Sequence, residues 1–304
     1  MDLPESVAAI GERLSETGAF VTDPQLLHGA DVFAAERDRI FMRRWVAVDH
    51  QTRLDGDRCY LRFDSATRSF LVTRDEEGGL HALRNVCLHA GYPICDAEGG
   101  PAERLICPYH GWEFSLKGRL VEPDLSARID PARLQLASYP VAIHDGLIFV
   151  DPSSPAVAGE SASVPVADGS VPEWLAESNV TARSRYSTNW NWKLALQFVK
   201  SSPHLFADEL DDNANCVAFG PLSLMMVQPE QAALLRVIPK SAERTDIQLV
   251  RMEPKGASPS TPAADGTDRV ADGLQQAGDA EAVARTSELD RQFFTWYWSL
   301  MATE

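Results

Sequence analysis

The sequence has few histidines, few cysteines, a deficit of basic residues and no long apolar run. No stretch approaches the roughly 18 consecutive apolar residues of a membrane-spanning helix. The opening residues, MDLPESVAAIGERL, carry acids and no apolar run, so no signal peptide is expected. Lys and Arg number 28 against 44 Asp and Glu, a formal net charge of −16, which argues against a nucleic-acid or anionic-lipid surface. We therefore expect a cytoplasmic protein with no membrane and no nucleic-acid partner.

Cysteine usage also excludes a disulfide-built scaffold. Five cysteines in 304 residues fit a reducing compartment, and Cys59 and Cys216 are predicted to be small buried apolar residues. An apolar content of 44% and a charged content of 24% are ordinary for a globular protein with a real core. The length is sufficient for two domains.

Two Cys-His pairs carry the clearest chemical signal. They are Cys87-x-His89 and, after residues 90–106, Cys107-x-x-His110. A Rieske centre is a [2Fe–2S] cluster in which two histidines replace two cysteines on one iron, so each of two loops must supply one Cys and one His. The alternative is a Cys2His2 zinc site, but zinc fingers place both cysteines before both histidines. The order found here favours the cluster, with these four residues as its ligands.

Residue patterning predicts an α+β fold. A helix is expected at 33–45, followed by short strands between turn residues and by a strand at 146–151 that closes an antiparallel β Rieske [2Fe–2S] domain. The predicted boundaries are 1–45 for an N-terminal helical segment, 46–151 for the Rieske domain with its cluster loops at 87–112, 152–174 for a linker, and 175–304 for a second domain.

The second domain is predicted to place helices on an antiparallel sheet. Trp192, Ala195, Leu196 and Val199 recur at helical spacing. Strand patterns follow in SLMMVQ, QAALLRVIP and DIQLVRMEP, then a Pro/Gly/Ser-rich loop at 254–273 and a final helix from about residue 279. The aromatic residues of that helix are expected in the core or in a subunit contact.

The cluster motif continues as Gly111-Trp112, and Asn191-Trp192-Lys193 begins the helix of the second domain. With these features the chain resembles the α subunit of a Rieske non-haem iron oxygenase, from about residue 26 onward. The resemblance implies an oxidoreductase with a [2Fe–2S] Rieske cluster and a mononuclear ferrous iron held by two His and one carboxylate. It also implies head-to-tail trimers, in which the cluster of one subunit supplies the iron of its neighbour. The electrons would come from NAD(P)H through a reductase or ferredoxin, and the reaction would be O2-dependent hydroxylation or dealkylation of a small organic substrate.

Two other Rieske classes fit less well. Respiratory Rieske proteins carry a disulfide between the cluster loops, and the corresponding positions here are Tyr92 and Tyr109, while Cys95 has no partner cysteine in the second loop. A stand-alone electron carrier has no use for the second domain.

The iron-binding segment of the family departs from its pattern in this chain. Laid from Asn191, the bridging acid falls on Ser201, the first His on His204 and the second His on Glu209. His204 is the single histidine after the predicted linker. The family's third ligand, an aspartate, follows an acid just after a helix that resembles the final one. The sequence stops at Ala302-Thr303-Glu304, about where that acid is expected, so the aspartate is missing from it.

Two hypotheses follow. One is a catalytic oxygenase with an altered one-His site in which His204 is joined by Asp208 or Glu209, or by Asp211 or Asp212. The other, which we favour, is a non-catalytic α-like subunit that keeps its cluster and works with an intact homologous α subunit, in a trimer or an α3α′3-like assembly. A mononuclear Fe(II) in this chain is therefore doubtful on sequence grounds.

Overall fold

The computed structural model describes residues 4, 5, 7–10, 12, 25–125, 128–153, 155, 164, 171–201, 215–256 and 289–302. The chain divides into two compact units. Arg44–Val166 form the first, here called the cluster unit, and Met1–Arg43 together with Ala167–Glu304 form the second, here called the helix–sheet unit. The predicted limits at 1–45, 46–151, 152–174 and 175–304 stay predictions at the level of single residues.

The cluster unit is built from short antiparallel strands. Its strands are β1 Val46–His50, β2 Cys59–Ser65, β3 Arg68–Arg74, β4 Leu80–Arg84, β5 Gly99–Pro101, β6 Leu105–Ile106, β7 Glu113–Phe114, β8 Leu120–Glu122, β9 Ser138–Tyr139, β10 Val141–His144 and β11 Leu147–Val150. They form a five-stranded sheet in the order β5-β2-β3-β4-β9 and two three-stranded sheets, β1-β11-β10 and β6-β7-β8. Short 3-10 helices lie at Gln51–Leu54 and Pro131–Leu134.

Alternation along β2 shows why this segment is a strand. Cys59, Leu61 and Phe63 are buried and the residues between them are partly exposed, as expected for one face packed on a core. The following hairpin, β3–β4, is closed by Asp75, whose carboxylate accepts the backbone N–H groups of Glu77 and Gly79 at 3.0 and 2.7 Å.

The helix–sheet unit has one five-stranded antiparallel sheet, in the order β12-β16-β15-β14-β13. Its elements are α1 Gln25–His28, α2 Ala30–Glu36 continued by a π-helix at Arg37–Phe41, a 3-10 helix at Glu173–Glu177, β12 Asn179–Thr188, α3 Trp192–Ser201, β13 Asn215–Ala218, β14 Ser223–Val227, β15 Ala232–Ser241, β16 Arg244–Glu253 and α4 Leu289–Ala302. Helix α3 packs on β15 and β16, and α4 packs on the π-helix.

The fold class is confirmed: one unit has helices on an antiparallel sheet, and the other is an antiparallel β unit. The predicted face of α3 is also confirmed, since Trp192, Ala195, Leu196 and Val199 are fully buried. The helix predicted at 33–45 instead begins at Ala30 and ends at Phe41, because Met42 leaves the helical region with φ −107° and ψ 9°.

The structure contradicts the predicted burial of Cys216 and does not describe most of the two predicted loops. Cys216 is exposed rather than buried, because it lies on the edge strand β13, where Val217 is the residue that faces the core. The loops at 152–172 and 254–273 lie largely outside the described residues, as does the part of the last helix before Leu289. Within the described part of the chain, no helix has the length and apolarity needed to cross a membrane.

Candidate metal centre

Two loops with the same hydrogen bonds present the four predicted cluster ligands. In the first loop the Cys87 N–H donates to the Tyr92 carbonyl at 2.8 Å. In the second the Cys107 N–H donates to the Trp112 carbonyl, also at 2.8 Å. The glycine before each of these carbonyls has a φ near +70°, a left-handed conformation that favours glycine. The two cysteines therefore occupy equivalent loop positions although the Cys-to-His spacings differ.

The sulfur and nitrogen donors of these loops lie in different places. Cys87 and Cys107 are buried, with exposures of 3% and 1%. The imidazoles of His89 and His110 are exposed, with their ring centroids 4.6 Å apart. A sulfur pair lies inside and a nitrogen pair lies at the surface.

This sorting fits a Rieske cluster. In such a cluster one iron takes two cysteines and the other takes two histidines. A structural zinc ion would need all four donors around one point. Among the residues that the structure describes, no group of three or more His, Cys, Asp or Glu side chains is placed to hold a single metal ion. The two-pair arrangement favours the cluster over zinc.

Local electrostatics also suit a bound thiolate. Burial raises the pKa of the Cys87 thiol, and the backbone N–H groups of His89 and Ala90 lower it by donating to the sulfur. The neighbouring Cys107 raises it again. A positively charged metal centre would favour the thiolate form against this desolvation, and the two N–H donors would then support it.

Aromatic rings surround the histidines. The Trp112 indole stacks on His89, with ring centroids 4.8 Å apart and planes 8° apart. The ring centroids of Tyr109 and His110 are 3.8 Å apart, and those of Tyr92 and Tyr109 are 5.3 Å apart. Two tyrosines thus meet at the positions where respiratory Rieske proteins would carry a disulfide.

An apolar floor supports the loops from below. Cys87 and Cys107 belong to a buried cluster with Leu71, Leu83, Ile94, Leu105, Phe114, Leu116, Leu120, Leu134 and Leu136. Cys95, the spare cysteine, packs against the same cluster. The rigid packing of this floor fixes the positions from which both sulfurs project.

The second candidate metal site lies outside the described residues. Helix α3 is described as far as Ser201, and His204, Asp208, Glu209, Asp211 and Asp212 follow in the segment beyond it. The predicted one-His, carboxylate site is therefore not brought together by the described structure and stays a prediction.

The helix–sheet unit contains a buried ion pair that the sequence does not predict. Glu36 at the end of α2 and Lys193 at the start of α3 form a salt bridge with side-chain exposures of 0% and 1%. Glu36 also accepts hydrogen bonds from the Trp192 Nε1 at 2.8 Å and from the Tyr297 hydroxyl at 2.7 Å. Three helices therefore meet at one carboxylate.

The ammonium of Lys193 is equally surrounded. It donates to the Leu26 carbonyl at 2.7 Å and lies 5.3 and 5.2 Å from the ring centroids of Trp192 and Tyr297. Burial lowers the pKa of Lys193, and the Glu36 carboxylate offsets part of that change. Burial raises the pKa of Tyr297, and Glu36 raises it further, so the phenol stays a donor. The Asn191-Trp192-Lys193 motif is visible in the sequence. Nothing in the sequence connects it to Glu36, which lies 156 residues before Trp192.

Comparison with known proteins shows what the chain is similar to. Residues 44–140 match the Rieske [2Fe–2S] domain family. The chain is 29% identical over 180 residues to the glycine betaine monooxygenase oxygenase subunit of Chromohalobacter salexigens, covering 59% of this chain and 39% of that protein. The chain is a homologue of the Rieske oxygenase α subunits. The predicted resemblance and the [2Fe–2S] Rieske cofactor are thereby confirmed.

Further Rieske oxygenase relatives agree. The carnitine monooxygenase oxygenase subunit of Escherichia coli is 26% identical over 196 residues, or 63% of this chain and 49% of that protein. The chlorobenzene dioxygenase α subunit of a Cupriavidus species is 31% identical over 134 residues, or 43% and 30%. These relatives are oxidoreductases, and the aligned regions span less than half of their length.

Solved structures share the fold. A quaternary ammonium Rieske monooxygenase, CntA, in complex with L-carnitine has a TM-score of 0.63 at 17% identity, covering 88% of this chain and 84% of that one. Naphthalene 1,2-dioxygenase from a Rhodococcus species has a TM-score of 0.59 at 17% identity, covering 99% and 89%. Another structure of a quaternary ammonium Rieske monooxygenase is described with inter-subunit electron transfer.

Proposed function

We propose that this chain is a non-catalytic, α-like component of a Rieske oxygenase. It holds the [2Fe–2S] cluster on Cys87, His89, Cys107 and His110, which when bound supplies one-electron transfer. The electrons come from NAD(P)H through a reductase or ferredoxin and go to the mononuclear non-haem iron of an intact homologous α subunit. That partner performs O2-dependent oxidation of a small organic molecule.

The observation that carries the cluster assignment is the inward sulfur pair beneath the outward nitrogen pair. A protein that accepts and donates electrons needs one edge of its centre near the surface, and the exposed imidazoles of His89 and His110 provide it. The cluster is held from behind by the apolar floor. We therefore place the exit for electrons at the two histidines.

A rim of exposed apolar side chains supports the choice of partner. Ile106 and Tyr109 are 53% and 59% exposed, and Leu88 and Tyr92 are also exposed. Exposed apolar patches rimmed by polar residues are typical of protein interaction sites. Because these side chains lie beside the exposed histidines, we assign the rim to the homologous α subunit, in keeping with the inter-subunit transfer described for a structural neighbour.

The non-catalytic role rests on the sequence of the iron segment. Residues 152–304 contain one histidine, His204, where the family pattern uses two, and Ser201 stands in place of the bridging acid. A two-His, one-carboxylate site cannot be assembled from that set. The partner subunit is therefore expected to supply the iron.

Metal analysis of the purified chain tests both parts. We expect about two irons and two acid-labile sulfides per chain, with a reduction potential in the Rieske range of about −150 to +300 mV. The variants C87S and H110A should lose the cluster, while the matched controls C216A and H144A should keep it. A zinc content that replaces the iron, or clusters retained in C87S and H110A, would overturn the ligand assignment.

Turnover separates the two roles of the chain. With a reductase, the chain alone should be inactive toward glycine betaine, carnitine or an aromatic hydrocarbon, and it should support turnover when mixed with an intact α homologue. The variant I106S should lower that turnover and leave the potential of the cluster unchanged, because it removes an exposed side chain of the rim. A third iron that disappears in H204A, together with turnover by the chain and reductase alone, would establish the catalytic alternative with His204, Asp208 and Glu209.

A further inference from the structure

The two cluster loops are closed in different ways. The second loop lies between β6 and β7, which pair directly through Leu105 with Phe114 and Ile106 with Glu113. The first loop follows β4, but residues 93–98 after it form no strand, and β4 pairs instead with β3 and β9. A strand pair therefore holds the base of the second loop, and something else must hold the base of the first.

The side chain of Asn85 occupies that place. Its Oδ1 accepts the backbone N–H groups of Ile94 and Cys95 at 2.9 and 3.0 Å. Its Nδ2 donates to the Cys95 carbonyl at 2.8 Å and to the Ser69 Oγ at 3.1 Å. Asn85 is 1% exposed, and all four hydrogen-bonding positions of its amide are used.

This amide is connected to the cluster through packing. Ile94 is buried in the same apolar cluster as Cys87 and Cys107. By fixing Ile94 and Cys95 against the end of β4, Asn85 joins the start of the first loop to its end. A hydrogen-bonded side chain performs here what a β-ladder performs in the second loop.

We propose that Asn85 is a positioning residue for the Cys87–His89 half of the cluster. It keeps the first loop closed, so that the Cys87 sulfur retains its N–H donors and stays opposite Cys107. The proposal rests on the ligand set assigned above, but it does not depend on the partner subunit or on turnover.

Hydrogen exchange provides a direct test, with the second loop as an internal control. In N85A we expect exchange of the peptide amides at 86–95 to be faster by about tenfold or more, with exchange at 105–114 unchanged. N85D should give a smaller increase, because it keeps the acceptor for two N–H groups but sets a carboxylate oxygen against the Cys95 carbonyl. Q135A, which removes an exposed amide that donates to the Lys117 carbonyl, should change neither loop.

The cluster itself gives a second readout. In N85A and N85D the reduction potential should fall, since weaker N–H donation to Cys87 and an added negative charge both disfavour the reduced form. Chelator-driven loss of iron should also be faster than in Q135A. If N85A does not fold, S69A removes a single acceptor and should show a smaller change in the same direction at 86–95.

Two results would overturn the proposal. One is equal acceleration of exchange in both loops, which would mean that Asn85 contributes only to the general stability of the unit. The other is faster exchange in the first loop with an unchanged potential, because the amide would then hold the chain without affecting the ligand. If hydrogen exchange and the reduction potential respond as expected, but the native chain does not support turnover by an α homologue, only the proposed function is contradicted.

Discussion

Replacing Lys193 with methionine should be among the most damaging single changes in the helix–sheet unit. The substitution keeps most of the side-chain length and removes the charge. It leaves the Glu36 carboxylate, which is fully buried, without its cation. The Trp192 and Tyr297 donors to Glu36 remain, but two neutral hydrogen bonds do not replace an ion-pair partner.

The expected cost follows from the burial of the pair. Breaking a buried ion pair by removing one partner destabilises a protein by about 3–5 kcal/mol, since it leaves a desolvated charge. K193M also leaves the Leu26 carbonyl without its ammonium donor, which adds about 1 kcal/mol. The double variant E36Q/K193M removes both charges, and the Gln amide keeps an acceptor for the Trp192 N–H and an N–H that can donate to the Tyr297 hydroxyl. It should be more stable than K193M and remain about 1–2 kcal/mol below the native chain.

Urea unfolding followed by tryptophan fluorescence is the appropriate assay, because Trp192 touches both members of the pair. K117M serves as the control, since Lys117 is an exposed lysine that pairs with Glu77, and its midpoint should stay close to the native one. A K193M midpoint equal to that of the native chain, or a double variant less stable than K193M, would show that this pair does not hold the three helices together.

Two further perturbations address the cluster unit. Burial by itself would raise the pKa of Asp75, but the hydrogen bonds from His81 and from backbone N–H groups hold that pKa below its ordinary value. The stability that the ionised carboxylate contributes is therefore present above about pH 4 and lost as pH falls through the lower folded pKa, so the urea midpoints of the native chain and D75N should converge on acidification; a gap that does not narrow as the pH is lowered below about 4 would refute this. G99A should lower the thermal midpoint more than G100A. Both glycines have φ above +150°, but the added Cβ of G99A would lie 2.6 Å from the Tyr60 carbonyl oxygen, whereas that of G100A meets nothing within 4 Å. Equal effects would show that backbone strain alone is responsible.

Much of the fold could be predicted because its signals are local. The burial of the α3 face follows from spacing within one helix, and the hairpins follow from turn residues beside alternating strands. The pattern does not predict the strands β5, β6, β9, β10 and β13, since segments of two to four residues carry little readable alternation. In α4 the buried face runs through Phe293, Tyr297 and Met301 at a four-residue step, so two aromatic residues of this helix lie in the core.

In the candidate site, too, local features can be predicted from the sequence and tertiary contacts cannot. The proposed ligands of the cluster come from a short motif, so the sequence proposes them residue by residue. The partners of Asn85 and Glu36 could not, since a side-chain amide that replaces a strand and an acid that meets Lys193 from another segment depend on tertiary placement. Buried polar residues of this kind must find partners, but the sequence does not identify those partners.

The pairing of β1 with β11 has a consequence for how this chain can be rearranged. Val46 lies opposite Val150 in the ladder, so the first and the last strand of the cluster unit are neighbours in one sheet. A segment whose ends meet can be removed from its host, closed with a short linker or given new termini while its internal strand order is kept. We therefore expect the cluster unit to keep its fold and its [2Fe–2S] cluster when it is expressed alone. The same is expected when it is inserted between two strands of another scaffold, where it could transfer electrons.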